Sequence, residues 1–254
     1  MSGDFTSTEL MAIVMARAFR DGEVVVMGAV PALPLAACMV AKALHAPGLS
    51  YIVGGSGTVN ATPEALPASS CDVALANAAS ILPLPEIVLL EGRGDALDVF
   101  CAGGLQIDAY GSCNLIAIGP WERPRLRGPG TVGLPFLPAT KRSVIYAMDH
   151  SPRTFVERVD FVSGPGHAAS PVEDRPYRGE GPSLVVTPVA TMEFDPVTRR
   201  MRLATTHPGV TEQDVRDATG FELGQGPSVV ETPEPTPEEL AALRRVDATG
   251  MLRV

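Results

Sequence analysis

The chain has 254 residues and a mass of 26.6 kDa, and its 45% of hydrophobic residues against 19% charged supplies a packed core and excludes global disorder. With 20 basic against 29 acidic side chains the formal charge is −9, and only 5% of residues are aromatic, so neither an electrostatic nor a stacking surface for nucleic acid is expected.

The first ten residues, MSGDFTSTEL, have neither a basic n-region nor an apolar h-region. No secretory leader is expected there, and the protein is expected to be cytoplasmic and reduced. Thr6 followed by Glu9 forms a capping box that opens a helix running to about Arg20. Asp21-Gly22 then turns the chain into a buried valine-rich strand, Glu23–Gly28. Val24 to Ala41 carries no charge for 18 residues, close to a membrane span in length. Gly28, Pro31 and Pro34 interrupt it, so it reads as strand, turn and a helix over 34–45, and no membrane partner is expected. Ser50–Val53 is the next strand. Strand-like apolar runs recur at Val73–Leu75, Ile87–Leu90, Val99–Ala102, Leu115–Ile118, Val144–Ala147, Val159–Val162, Leu184–Thr187 and Met201–Thr205. Residues 189–205 read as an antiparallel hairpin around Asp195-Pro-Val-Thr. Thr211 caps another helix, and the Pro- and Glu-rich run 231–238 links to a last helix near 237–246. Helix alternating with short apolar strand predicts an α/β fold, an open and largely parallel sheet flanked by helices with a C-terminal antiparallel hairpin. No composition break divides the chain, so residues 1–254 read as one domain.

Several motifs bear on chemistry. The cysteines at 38, 71, 101 and 113 and the histidines at 45, 150, 167 and 207 have no metal-ligand spacing, and no metal is expected. Gly128-Pro-Gly-Thr-Val-Gly133 satisfies G-x-G-x-x-G but has neither the strand before nor the helix after that a dinucleotide site needs. What remains is a loop whose backbone N–H groups are uncovered and able to meet an anion. Gly54-Gly55-Ser56-Gly57 follows a strand, where α/β proteins place their sites. Thr58 breaks the nucleophile-elbow pattern, so Ser56 reads first as a turn hydroxyl, and the three glycines as a place where a ligand can approach the backbone. Gly103-Gly-Leu-Gln-Ile-Asp108 also follows a strand, with Gln106 and Asp108 sharing a face if extended.

Taken together, Gly22-Glu-Val-Val-Val, Leu44-His-Ala-Pro47, Gly103–Gly111, Arg127-Gly-Pro-Gly130, Arg158–Gly166, Arg200-Met-Arg-Leu and His207-Pro-Gly-Val-Thr…Thr219-Gly-Phe span nearly the whole chain. In this order they resemble the β subunit of glutaconate CoA-transferase and its relatives, the class I CoA-transferase family. The resemblance implies an α subunit of similar fold, in an αβ or α2β2 assembly. It also implies an active site that holds an acyl-CoA, with coenzyme A present only as part of the substrate and no other cofactor. It implies that the glycine-rich loop at 128–133 helps hold the thioester oxygen, with Gly130 and Thr131 at that place. Transferases of the family carry a catalytic Glu after the strand corresponding to Ser50–Val53; here that position is Gly54. Glu91 is 37 residues on and in another element.

A kept oxyanion loop without its nucleophile implies different chemistry on the same acyl-CoA. The resemblance offers a two-subunit branch that decarboxylates 3-methylglutaconyl-CoA on a route to isovaleryl-CoA, and another that hydrolytically opens a steroid-derived ring. The decarboxylase is the expected reading, with Ser56, Gly130 and Thr131 as catalytic candidates and Gly54, Gly55, Gly57, Gln106, Gly128, Val132 and Gly133 lining the substrate. The alternatives are the ring-opening hydrolase, a transferase whose nucleophile comes from elsewhere, and a scaffold subunit without activity.

Overall fold

The structure is a computed structural model and describes residues 4–167 and 179–253. These group into two compact units, residues up to 101 together with those from 233, and residues 102–232.

In the first unit α1 (Ser7–Ala18) starts at the predicted capping box: Thr6 Oγ1 accepts from Glu9 N, and Glu9 Oε2 accepts from Thr6 N. β1 (Val24–Met27), α2 (Ala32–Leu44) and β2 (Ser50–Val53) follow. The uncharged stretch is thus strand, turn and helix. Among the described residues no helix is long and apolar enough to cross a membrane. β3 (Thr58–Val59), the 3-10 turn Val73–Ala76, β4 (Ser80–Ile81), α3 (Leu84–Gly92) and β5 (Val99–Ala102) complete the first run, and α5 (Pro237–Val246) returns to the unit at the chain's end. β1 lies between β2 and β5, parallel to both, with Met27 opposite Val53 and Cys101. β3 and β4 extend this sheet antiparallel beyond β2. α5 is tied to α1 by ion pairs: Arg244 Nε stands 2.8 Å from Glu9 Oε1, and Arg17 pairs with Glu239.

The second unit holds β6 (Gln106–Asp108), β7 (Cys113–Asn114), β8 (Ala117–Ile118), β9 (Leu126–Arg127), the 3-10 segment Leu134–Ala139, β10 (Arg142–Tyr146), β11 (Phe155–Val156), β12 (Pro182–Val186), β13 (Ala190–Phe194), β14 (Met201–Thr206), α4 (Glu212–Asp217) and β15 (Gly224–Glu231). β10 and β12 are parallel, β12–β13–β14 run antiparallel, and β15 joins β14 in parallel. The predicted hairpin is β13–β14, and Thr211 caps α4 through a second capping box with Asp214.

The α/β class holds, with three corrections to individual runs. Ile87–Leu90 is helical, inside α3, because four apolar residues in a row carry no period that separates helix from strand. Val73–Leu75 is a 3-10 turn opened by Asp72, whose carboxylate accepts from Ala74 N at 2.9 Å. Val159–Val162 forms no strand, and the residues that pair are Phe155–Val156, beside Ile107 and Asp108. Cys38, Cys101 and Cys113 are buried free thiols, and Cys71 is exposed.

Candidate active site

The first unit presents its parallel strands' carboxyl ends at Met27, Val53 and Cys101, and the turn Gly54–Gly57 leaves β2 there. Gly54 N donates to Met27 O at 2.9 Å, and Gly57 N closes the turn on Val53 O at 2.8 Å. The three glycines serve different ends. A Cβ on Gly57, whose φ is +72°, would run into the Leu82 carbonyl, and one on Gly55 into the Ser70 side chain. Gly54 is tight but clear of outright collision: a Cβ there would lie 3.2 Å from Met27 O and 3.5 Å from Glu91 Oε1. Ser56 is half-buried; its hydroxyl lies 2.9 Å from Thr58 Oγ1 and 3.3 Å from Val53 O. Both contacts lie within the turn.

Glu91 is the group at this turn that sequence reasoning set aside. α3 buries only Ile87 and Glu91, four residues apart on one face, and leaves Leu84, Val88 and Leu89 exposed. This inverts the usual amphipathic helix. Glu91 is 6% exposed, and among the described residues its carboxyl has no hydrogen bond and no ion pair. Every fully enclosed side-chain nitrogen or oxygen among those residues does have a partner, so the unpaired carboxyl is not sealed in but meets solvent. Burial alone pushes its pKa up to about 7.

The second glycine loop lies in the other unit. Backbone bonds fix its start: Gly128 N donates to Ile116 O at 2.8 Å, and Gly130 N approaches Leu115 O at 3.3 Å. Gly128 is packed so closely on the Leu115 carbonyl that a Cβ would collide with it, whereas Gly130, at φ +103°, faces open space. Val132 then takes φ +51°, unusual for a β-branched residue, and is half exposed. Gly133 returns to right-handed values (φ −81°, ψ −3°) and starts the 3-10 segment, with Leu134 N on Thr131 O at 3.1 Å. The N–H groups of Thr131, Val132 and Gly133 donate to nothing among the described residues. A left-handed residue followed by a right-handed one gathers successive N–H groups into a concavity suited to an anion. The free donors thus start one residue beyond Gly130.

Gln106 is buried and fully engaged. Its Oε1 accepts from Asn114 Nδ2 at 2.7 Å and from Asp160 N at 3.0 Å, while its Nε2 donates to Asp160 Oδ2 at 3.3 Å. The same Asp160 oxygen accepts from Gly119 N, so Gln106 anchors the β8–β9 hairpin from which the second glycine loop departs. Asp108 accepts from Tyr110 N and Ser112 N, both at 2.9 Å, yet burial outweighs these bonds and raises its pKa. His150 and His207 are pushed down to about 4 by burial and bond to threonines and a backbone carbonyl. Among the described residues no three His, Cys, Asp or Glu side chains group as metal ligands would.

Comparison with known proteins places the chain in a family. The β subunit of glutaconate CoA-transferase from Acidaminococcus fermentans is 34% identical over 91% of this chain and 89% of its own. The crystal structure of that transferase matches with a TM-score of 0.87 at 31% identity, over 99% of this chain and 98% of that one. The crystal structure of the decarboxylase AibA/AibB matches with a TM-score of 0.84 at 25% identity, over 98% of both chains. The cholesterol ring-cleaving hydrolase IpdB subunit of Rhodococcus jostii is 29% identical over 96% of this chain and 92% of its own, and the IpdAB crystal structure gives a TM-score of 0.84. Relatives with three different chemistries therefore share one fold. A family model described as coenzyme A transferase matches residues 8–218, and the chain belongs to that family as a homologue of the glutaconate CoA-transferase β subunit.

Proposed function

We propose that this chain is the β subunit of a two-subunit enzyme that removes CO2 from a glutaconyl-type acyl-CoA, converting 3-methylglutaconyl-CoA to 3,3-dimethylacrylyl-CoA. One observation carries the reading: residue 54, in the turn after β2, is a glycine and presents no side chain. In the transferases that the chain resembles, this position supplies the nucleophile. Gly54 cannot attack a thioester, so acyl transfer through a covalent intermediate has no starting group there.

Decarboxylation needs no nucleophile. Loss of CO2 from a vinylogous β-carboxy thioester leaves a dienolate whose charge ends on the thioester oxygen. The unpaired N–H groups of Thr131, Val132 and Gly133 are donors of the type that stabilises such an oxyanion, and one such donor contributes about 3 kcal/mol to a transition state. Coenzyme A enters as part of the substrate, and the reaction so written needs no other group. Ser56 lines the turn, and Gly55 and Gly57 hold the turn's shape.

A partner subunit is part of this reading. Val73, Ile81, Leu84, Val88 and Leu89 all lie exposed on the segment 73–89, apolar side chains that a partner could cover. AibA/AibB and IpdAB are complexes of two differently named subunits.

The test is to coexpress the chain with its partner, supply 3-methylglutaconyl-CoA and weigh the product. A thioester lighter by one CO2, formed without any acceptor acid, supports the decarboxylase. Acetyl-CoA appearing only when acetate is added identifies a transferase. A substrate inert under both conditions points to the ring-opening hydrolase or to a different acyl-CoA.

A further inference from the structure

Four acidic side chains are buried among the described residues: Glu9, Glu91, Asp108 and Asp247. Three of them are satisfied. Glu9 pairs with Arg244 and accepts from Thr6 N, Asp108 accepts from Tyr110 N and Ser112 N, and Asp247 accepts from Met251 N and Leu252 N. Glu91 has none of this. Leaving a buried carboxyl unpartnered costs stability, and α3 could avoid the cost by turning a leucine inward. It turns Leu84 and Leu89 outward instead and points a carboxyl at the carboxyl ends of β1 and β2. Its neighbours there are the empty side-chain position of Gly54 and, close to the same point, the Met27 carbonyl and a Val26 methyl. No charged group contributes to its pKa.

We propose that Glu91 is the proton donor of the reaction, delivering its proton to the substrate carbon that has just lost CO2. The inference rests on the decarboxylase reading. The bond between that carbon and the leaving carboxylate breaks, and its electron pair passes into the dienolate, ending on the thioester oxygen. The pair then returns to the carbon and takes the proton from the Glu91 O–H, whose bonding electrons stay on the carboxylate. Glu91 is reprotonated by water, which its carboxyl reaches. Because the carboxyl is uncharged when loaded, it does not repel the substrate carboxylate, as an ionised Glu at position 54 would. Burial without a cation keeps the proton on Glu91 near neutrality, where an acid catalyst is most effective.

The test compares wild-type and Glu91→Gln holoenzymes on 3-methylglutaconyl-CoA. With Glu91 as donor, kcat of the variant falls by about 100-fold or more while KM stays within about threefold. Wild-type kcat declines tenfold per pH unit above about 7, as the acid form is lost, and the residual activity of the variant lacks this limb. A wild type that releases CO2 together with a variant of equal kcat and equal pH profile overturns the role of Glu91 and leaves the decarboxylase standing. A wild type that releases no CO2 overturns both. If the variant does not assemble with its partner, the wild-type profile decides: a flat kcat from about pH 6 to about pH 9 overturns the role, and a falling one supports it.

Discussion

Gly54 and Glu91 face one another: a Cβ added to the glycine would stand 3.5 Å from the carboxyl oxygen on α3. Gly54 is not in the left-handed region, and a Cβ there would press on Met27 O at 3.2 Å, so a small side chain fits once that carbonyl gives by a few tenths of an ångström. Gly57 is the opposite case, left-handed and against the Leu82 carbonyl. Gly54→Ala should therefore cost about 1 kcal/mol or less, and Gly57→Ala about 3 kcal/mol or more. Denaturant titration of the two variants measures both. Equal costs would show that the turn, not the local space, sets the choice of glycine at 54.

A carboxyl kept unpaired in the interior has a signature in stability. The Glu91 pKa is raised by burial from 4.5 to about 7, so its contribution to stability is full below pH 4.5 and is lost as pH rises through about 7. The loss amounts to roughly 3 kcal/mol. Glu91→Gln removes this dependence. The variant should match wild type near pH 4.5 and exceed it by about 3 kcal/mol near pH 8, measured as the difference between two unfolding curves at each pH. A variant that is more stable and less active than wild type would mark Glu91 as held for chemistry.

Much of the fold was legible because its signals are local. The capping box at Thr6/Glu9 and the cap at Thr211 each set a helix start within one turn of sequence. α3 was not legible, since Leu84, Val88 and Leu89 face outward and its buried face pairs Ile87 with a carboxylate, so Ile87–Leu90 shows no helical period. For the same reason Glu91 read as a distant carboxylate: 37 residues separate it from Gly54, and only the folding of α3 brings it to the turn. The loop at 128–133 was legible as uncovered backbone. Which of its N–H groups are free depends on Leu115 O, which takes up Gly130 N, and no spacing in the sequence reports that.

The oxyanion loop can be tested by separating backbone from side chain. Val132 holds a left-handed φ of +51°, and its side chain is half exposed. Val132→Gly should raise stability by up to about 1 kcal/mol and leave kcat within about twofold, since the N–H groups keep their places. Gly130→Val meets no neighbour but cannot hold φ +103°, so the loop must shift and carry the Thr131 and Val132 donors with it. Its kcat should fall by about 10² to 10³ without loss of assembly. Steady-state kinetics of the two variants together decide the matter, since unchanged turnover in Gly130→Val removes the loop from the mechanism.

The outward leucines of α3 make a separate prediction about assembly. Leu84 and Leu89 are 66% and 67% exposed and contribute little to the chain's own core. Leu84→Asp with Leu89→Asp should leave the melting of the isolated chain within a few degrees of wild type, because the charges remain in water. If the partner covers α3, the same pair of charges would be buried without counter-ions and complex formation should weaken by about 3 kcal/mol or more. Size-exclusion chromatography of the coexpressed pair reads this directly. An intact complex from the double variant would place the partner on another face, and the inverted helix would then owe its orientation to Glu91 alone.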